Sequence, residues 1–331
     1  MYIKHKQTTL ALLLSSLTVG TASAEPTLFG KANLSIASLD DDTGSSTAVA
    51  SHSSRVGVKG NIESKGSLEI GYRFVWQIDM ADEAKSSNDH IKSREQYISL
   101  KDNWGEVRIG RHDTPYKKAG KESVEFFSDS YADWNNIITK SHDIRADSSL
   151  SYYKTLGPAK LSVMYAGGED TPANDNAGEI ISLAADMKFD DLVFAVAYQD
   201  IDAIPNPVPA NAVPSTSAFK VVVGYTLGAT SVGIAVENID EDGAPDATNT
   251  MLSLKHKMDD RNTIKFTYGD AEGIIPGLND PSMMALGIDH ELNDSATAFA
   301  YWADGSDGGL EADAGLVGDS TVLALGVIVK F

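Results

Sequence analysis

The chain of 331 residues contains no cysteine, which excludes disulfide frameworks, thiolate zinc sites, iron–sulfur clusters and cysteine nucleophiles. Basic residues are also few, because 27 Lys and Arg stand against 47 Asp and Glu and leave a net charge of −20. That charge argues against a general nucleic-acid-binding protein, which needs a basic surface to contact phosphate. The mean hydropathy of −0.18 argues against a helical membrane protein, since its spanning helices would need long apolar runs. Composition alone therefore suggests a soluble acidic protein.

The sequence also lacks the spacings that mark catalytic or metal-binding centres. Its seven histidines are scattered, without H-x-H or H-E-x-x-H spacing, so we predict no metal site. It has no nucleophile elbow, and we predict neither an enzyme nor a bound cofactor. Residues 40–44 and 304–308 resemble calcium loops but lack the closing Glu of an EF-hand. We interpret both segments as solvated acidic tips, with a divalent-cation site as the alternative.

The first 24 residues have the features of a cleaved export signal. Lys4 and Lys6 form a basic start, 10–19 is a short apolar stretch, and Ala22-Ser23-Ala24 fits a small-residue cleavage site. The apolar stretch is shorter than the roughly 20 residues that a membrane-spanning helix needs. We therefore predict a signal peptide over 1–24 and a mature, exported chain over 25–331.

The mature chain is a succession of short segments in which apolar and polar residues alternate. In 68–77 one parity reads Leu, Ile, Tyr, Phe and Trp, and the other reads Glu, Gly, Arg, Val and Gln. A period of two predicts a strand with one apolar face. Sixteen such strands are predicted, over 28–38, 53–60, 67–79, 93–101, 105–111, 147–154, 159–166, 180–188, 192–199, 218–226, 230–237, 249–257, 262–269, 282–290, 296–303 and 321–331.

The connections between these strands alternate in length, which indicates how the strands are arranged. Long connections rich in Asp, Gly, Asn, Pro and Ser are predicted over 39–52, 80–92, 112–146, 167–179, 200–217, 238–248, 270–281 and 304–320. An even number of strands with short turns at one end and long loops at the other is typical of an outer-membrane barrel. The predicted fold class is therefore all-β, a transmembrane antiparallel β-barrel of 16 strands. A secreted soluble β protein with a binding or adhesin role is the alternative.

Four stretches resemble the Gram-negative general porin family, whose members are sixteen-stranded trimeric barrels. They are the start of the mature chain at 28–30, the second strand at 53–60, the segment 94–116 with its Gly-Arg-x-x-Thr-Pro block, and the terminal strand that ends at Phe331. The resemblance implies a homotrimer in the outer membrane of a Gram-negative bacterium, in contact with lipopolysaccharide and outer-membrane lipid. It implies general diffusion of small hydrophilic solutes and ions, with a substrate-specific channel as the alternative. In this family the terminal aromatic residue, here Phe331, is a signal to the barrel-assembly machinery.

The third long connection, 112–146, is the predicted functional centre, because a loop this long in a compact domain calls for a functional explanation. In the family this loop folds into the barrel and narrows the pore, and we refer to it as the third loop. A helix is predicted over 123–134, with the carboxylates spaced so that they share one face: Glu122, Glu125, Asp129 and Asp133. An ordinary solvated loop surface is the alternative.

The parity of the strands predicts which charged residues line the pore. With the apolar face outward, inward cations outnumber inward acids, and Lys59, Arg73 and Arg108 are among them. The predicted pore wall comprises these three residues and Arg111. At the constriction, we expect Arg55, Arg94 and Arg145 to oppose the loop carboxylates and to set up a transverse field. Arg94 has the parity of Ile98 and Leu100, so its inward position requires a bulge or a strand end. The family commonly has a basic residue next to the start of strand six, where this chain has Ser149-Leu150.

Overall fold

The computed structural model describes residues 25–331 apart from 65, 82–89, 140–141, 172–173, 205–213, 274–279, 311–315 and 317. The predicted signal peptide over 1–24 lies outside the described residues. The strands are β1 (Thr27–Asp41), β2 (Gly44–Ser51), β3 (Arg55–Glu63), β4 (Glu69–Ile78), β5 (Ile91–Asp102), β6 (Gly105–Asp113), β7 (Arg145–Leu156), β8 (Ala159–Ala166), β9 (Glu169–Thr171), β10 (Asn174–Ala177), β11 (Ile180–Phe189), β12 (Leu192–Ile201), β13 (Thr216–Leu227), β14 (Thr230–Glu241), β15 (Ala247–Lys257), β16 (Asn262–Glu272), β17 (Ser282–Asn293), β18 (Ala296–Ser306) and β19 (Ser320–Lys330).

The strands close into one antiparallel barrel. Each strand pairs with its neighbours in the chain, apart from the separate hairpin β9–β10, and β19 returns to β1 in the register Lys31↔Lys330 to Asp41↔Ser320. Both β2 and β3 pair with β1, so they are two parts of one barrel strand. The prediction of sixteen barrel strands is confirmed. Closure pairs the edge that an open sheet would expose, which satisfies the backbone hydrogen bonds of every barrel strand.

The prediction of a long connection over 39–52 is wrong. The structure has a tight turn between β1 and β2, and the ladder continues from Asp41↔Gly44 to Leu34↔Ser51. The side chain of Asp41 accepts hydrogen bonds from the Thr43 and Gly44 amides, and Gly44 has a φ of +133° that glycine readily adopts. The Ser and Thr residues that indicated a loop therefore belong to a strand. The predicted connections 80–92, 167–179, 200–217, 270–281 and 304–320 each include residues outside the described part of the chain.

The two faces of the barrel wall differ in side-chain size. Along β14, Val232, Ile234 and Val236 are exposed on the outer face, whereas Ala235 and Glu237 are fully buried on the inner face. In β19, Leu323 and Leu325 point outward in the same way and Ala324 is buried. An outward band of large apolar residues is what a lipid-facing surface requires. None of the helices in the described part of the chain is long and apolar enough to cross a membrane.

The buried core of the molecule lies between the third loop and the inner wall. Tyr116, Trp134, Ile137 and Ile138 of the loop are almost fully buried. They belong to one cluster with small or flexible inward residues of the wall, among them Ala195, Ala218, Ala235, Met251, Ala271, Ala285 and Ala303. The small residues leave room for the loop, because a barrel of this size has an interior that its wall side chains do not fill.

Candidate pore constriction

The third loop has irregular structure, with short helical turns at its two ends. Helix α1 (Pro115–Lys118) begins after Thr114, whose hydroxyl accepts a hydrogen bond from the Lys117 amide, and single 3-10 turns follow at Lys121–Ser123 and Trp134–Asn136. The helix predicted over 123–134 does not form. Asp129 has a left-handed φ of +52°, and the Asp133 carboxylate accepts hydrogen bonds from the amides of Asp129 and Asn135. Such local side-chain bonds to the backbone compete with a helix.

Hydrogen bonds from the third loop reach strands on several sides of the barrel interior. The Tyr116 amide donates to Ser182 of β11, and the Tyr131 amide donates to the hydroxyl of Tyr301 in β18. On the other side, Asn33 of β1 donates to the carbonyl of Asp129 at 2.8 Å. The loop therefore crosses the interior from one wall to another and is bonded at both ends of its path.

All seven residues predicted for the constriction line one cavity of about 1160 Å³. The loop contributes Glu122, Glu125, Asp129 and Asp133, and the wall contributes Arg55, Arg94 and Arg145. The acids thus reach one space without the helix that was expected to align them. Whether this space is the narrowest part of a conducting pore stays a prediction.

Asp129 is the point where the loop carboxylates meet the wall cations. Its carboxylate forms ion pairs with Lys31 and, at 3.1 Å, with Nη1 of Arg55. Burial of Asp129 would raise its pKa, but the Lys31 and Arg55 cations outweigh this effect and hold the pKa well below its usual range. Asp129 therefore carries a full negative charge at any physiological pH.

A β-bulge in β5 directs the side chain of Arg94 into the cavity. Its position in the strand alternation required such a bulge. In the pairing of β4 with β5, Phe74 faces Gln96 and Trp76 faces Ser93, so that Arg94 and Glu95 together oppose Val75. The extra residue reverses the side-chain alternation beyond it. Nη1 of Arg94 donates to the side chain of Gln77 at 2.6 Å.

Arg145 belongs to a charge cluster that the sequence analysis missed. Its Nη2 lies 2.9 Å from Asp113, whose carboxylate is also 3.5 Å from Nζ of Lys117, and Lys117 in turn lies 2.9 Å from Asp143. The four-residue spacing of Asp113 and Lys117 was the available signal, because it allows contact across one helical turn. Asp143 carried no such signal.

A second group of loop charges surrounds Glu125. Its carboxylate lies 2.8 Å from Nζ of Lys121 and is almost completely buried. Burial and the neighbouring Asp133 carboxylate raise the pKa of Glu125 to about 8. Burial and nearby carboxylates act on Lys121 in opposite directions, and the carboxylates, led by Glu125, raise its pKa. Glu125 is therefore a loop carboxylate whose pKa lies close to neutral, and burial raises the pKa of the neighbouring Asp133 as well.

The predicted pore-wall residues fall in three places. Arg108 lines the main cavity, and Lys59 and Arg73 line a smaller one of about 190 Å³. The structure differs from the prediction for Arg111, which lines neither cavity. Arg111 has the parity of the exposed Ile109 and pairs at 2.5 Å with the exposed Asp147. Arg111 lies at the register shift between Gly110 and His112, where the regular alternation of the strand is interrupted.

A buried pair of opposite charges connects the loop to the wall and was also missed. Lys220 and Glu237 face each other on β13 and β14, and both are fully buried. Glu237 accepts hydrogen bonds from the Tyr116 hydroxyl, the Thr139 amide and the Asn249 side chain. Nζ of Lys220 donates to the Tyr116 carbonyl at 2.8 Å. Both residues lie on the inner face of their strands, but strand alternation cannot show that the loop covers them.

The charges that line the main cavity nearly balance, with ten Lys and Arg against nine Asp and Glu. The net basic wall predicted from parity is therefore offset by the carboxylates of the loop. In the described residues, no group of three or more His, Asp or Glu is placed to hold a metal ion.

A comparison with known protein families settles what kind of protein this is. A sequence model described as Gram-negative porin matches residues 8–309, which is most of the chain. The chain belongs to the Gram-negative porin family. A comparison with curated protein sequences finds no match.

Solved porin structures share the fold of this porin at low sequence identity. An anion-selective porin from Comamonas acidovorans superposes with a TM-score of 0.77 at 19% identity, covering 93% of this chain and 100% of that one. In vitro folded OmpT of Vibrio cholerae gives 0.70 at 17% identity, with 95% and 99% covered. OmpF of Salmonella typhi gives 0.72 at 14% identity, also with 95% and 99% covered.

Family and fold together place this porin in the outer membrane as a channel. The predicted localisation is confirmed. The large apolar residues on the outer face of the barrel then contact lipid, and the closed barrel favours the channel over the secreted soluble β protein.

Proposed function

We propose that this porin is a general diffusion channel for small hydrophilic solutes and ions, and that the third loop forms its constriction. The observation that carries the proposal is the main cavity, which has loop carboxylates on one side and wall arginines on the other. A lining of charged groups of both signs suits hydrated solutes of many kinds. A specific channel would need polar groups placed for one solute.

The opposed charges set up a transverse field across the constriction. Asp129 contacts Arg55, while Arg94 and Arg145 lie on the same wall and bond to Gln77 and Asp113. In such a site, ion selectivity depends on which member of each pair is charged. Removing one sign from the near-balanced lining therefore moves the selectivity toward the other sign.

The reversal potential of single channels in a salt gradient tests this proposal. We expect Arg55→Ala to increase cation preference and Asp129→Ala to increase anion preference, and each to change the conductance. Lys154→Ala is the matched control, because Lys154 lies outside both cavities and bonds to the Asn103 carbonyl at the turn. If neither the Arg55 nor the Asp129 variant differs from wild type, these residues do not form the constriction.

Conductance as a function of solute concentration separates the general channel from the substrate-specific alternative. In a general channel, the conductance rises linearly with salt concentration, whether or not sugars or amino acids are present. A specific channel is saturated or blocked by its own solute. A neutral solute that blocks the current at micromolar concentration would replace the proposed general function by the specific one.

We also propose a homotrimer, supported by the fold shared with OmpT of Vibrio cholerae, for which a trimer form is described. Conductance steps in groups of three and slow, heat-modifiable migration on a gel are the expected signs. Contact with lipopolysaccharide and recognition of Phe331 by the barrel-assembly machinery belong to the same proposal. Phe331 follows β19 and exchanges backbone hydrogen bonds with Gly30 of β1, and its side chain is exposed. We expect Phe331→Ala to lower the amount of assembled protein in the outer membrane.

A further inference from the structure

A row of alternating cations and aromatic rings crosses the inner wall beside the constriction. Nζ of Lys59 lies 5.4 Å from the ring centre of Phe29, and the guanidinium of Arg73 lies 4.6 Å from it. The guanidinium of Arg108 lies between two rings, 5.0 Å from Tyr97 and 4.5 Å from Tyr153, and Nζ of Lys160 lies 5.4 Å from Tyr153. We call these seven residues the cation–aromatic row.

Strand register brings the row together from seven strands. Lys59 faces Arg73 across β3 and β4, and Arg73 faces Tyr97 across β4 and β5. The row also joins the two cavities, because Lys59, Arg73 and Tyr97 line the smaller one, and Arg108, Tyr153 and Lys160 line the main one. A solute that passes the constriction therefore meets this row on the same wall.

Both arginines of the row are held in place with one edge left for a solute. Nε of Arg73 donates to Glu95 at 2.5 Å, and Nε of Arg108 donates to Glu106 at 2.6 Å. Aromatic rings cover the guanidinium faces. Within the described part of the chain, the hydrogen bonds of these two side chains use Nε alone. Their Nη groups are therefore fixed but not used, and a quarter or more of each side chain remains exposed.

The chemistry of the row selects a particular kind of ligand. Four cations stand against three carboxylates, Glu95, Glu106 and Asp186, the last of which faces Lys160 across β8 and β11, so the row keeps one positive charge in excess that can attract an anion. Fixed guanidinium N–H groups match the two oxygens of a carboxylate. The rings do not serve as a stacking platform for a solute, because Tyr153 and Phe29 each already contact two cations.

We propose that the cation–aromatic row is a binding subsite for small carboxylates, with Arg73 and Arg108 donating to the carboxylate oxygens. The rings are positioning residues, since they contact the arginines and hold them ready before a solute arrives. The inference rests on the proposed channel function, because the solute has to reach the row through the pore.

Calorimetric titration of the folded protein in detergent with sodium succinate tests the subsite without relying on conductance. We expect saturable binding, and a loss of affinity of about tenfold or more in Arg108→Gln and Arg73→Gln, because hydrogen bonds between charged groups are the strong ones. Lys101→Gln is the matched control, since Lys101 lines the same smaller cavity but makes no contact with a ring of the row. Glucose is the control solute.

A second pair of variants tests the positioning role of the rings. Tyr153→Leu should weaken succinate binding several-fold and Tyr153→Phe should restore it, because the aromatic face and not the hydroxyl contacts Arg108. Heat-modifiable migration confirms that each variant is folded. Absence of saturable succinate binding, or equal affinity in Arg108→Gln and wild type, overturns the subsite. In either case, an unchanged reversal potential in sodium chloride would leave the proposed diffusion channel intact.

Discussion

The two sides of the third loop are attached to the barrel by different forces. On one side, Trp134, Ile137 and Ile138 are buried against small residues of the wall. On the other side, Asp129 and the wall cations form ion pairs at the edge of an open cavity. Burial of apolar area provides most of the stability, whereas the ion pairs offset much of their attraction by the cost of removing charges from water.

This difference separates the position of the loop from its electrical effect. The packed side determines where the loop lies, and the charged side determines the field that a passing ion meets. Substitutions on the packed side should therefore change stability and pore size. Substitutions on the charged side should change selectivity and leave stability nearly constant.

The largest expected effect on the packed side comes from Glu237→Leu. The substitution removes the acceptor of Tyr116, Thr139 and Asn249 and leaves Lys220 buried without its facing carboxylate. Each buried donor that loses its acceptor costs about 1–3 kcal/mol, and three donors lose theirs here. We expect a lower unfolding temperature by circular dichroism and new tryptic cleavage at Lys117 or Lys118, because the loop detaches from the wall.

Glu237→Gln and Glu291→Gln are the controls for this prediction. Gln has the size of Glu and can still accept two of the three hydrogen bonds. Glu237→Gln should therefore lower the stability less than Glu237→Leu does. Glu291 is exposed near a turn, and its replacement should change neither stability nor cleavage. Equal unfolding temperatures for Glu237→Leu and wild type would contradict the assignment of this residue as the anchor of the loop.

A smaller effect is expected when the space under the loop is filled. A Cβ atom at Gly233 would lie 1.9 Å from the carbonyl oxygen of Ser123, so Gly233→Ala has to push the loop into the cavity. Overpacking of this kind costs about 1–3 kcal/mol. The expected result is a lower single-channel conductance, because the displaced loop occupies part of the lumen.

Gly71→Ala provides the comparison for this substitution. Its added Cβ would meet the side-chain oxygen of Ser99, which can rotate away, and it would not touch the third loop. We expect wild-type conductance for Gly71→Ala. A conductance of Gly233→Ala equal to that of wild type would mean that the loop does not limit the current.

Much of the barrel follows from the sequence, because period-two alternation is local and repeats along every strand. The fifteen barrel strands from β1 and from β4 onward were predicted within a few residues, whereas β2 was interpreted as loop because its Ser, Thr and Gly residues resemble one. The pairing of β2 with β1 is a tertiary contact, which residue composition does not indicate. In this region strand pairing overrides the residue preferences.

The seven residues predicted for the constriction lie together at one cavity, but their local structure could not be predicted. Loop position indicated the four acids and parity indicated Arg55, whereas Arg94 needed a bulge against its parity and Arg145 rested on the family resemblance. The helix failed because Asp129 and Asp133 form bonds with the backbone of the loop, which spacing alone cannot reveal. Arg111 lies at the register shift between Gly110 and His112 and pairs with the exposed Asp147 instead of lining the main cavity.

The smallest effect, a dependence on pH, sharpens the charged side of the comparison. Because the pKa of Glu125 is about 8, its carboxyl is mostly protonated at pH 7 and mostly ionised at pH 9. Raising the pH therefore adds one negative charge to a cavity with ten basic and nine acidic residues. We expect the ratio of cation to anion permeability, measured from reversal potentials, to rise between these pH values. Glu125→Gln should remove this rise without lowering the unfolding temperature as Glu237→Leu does, and a rise of the same size in Glu125→Gln would assign the titration to another group.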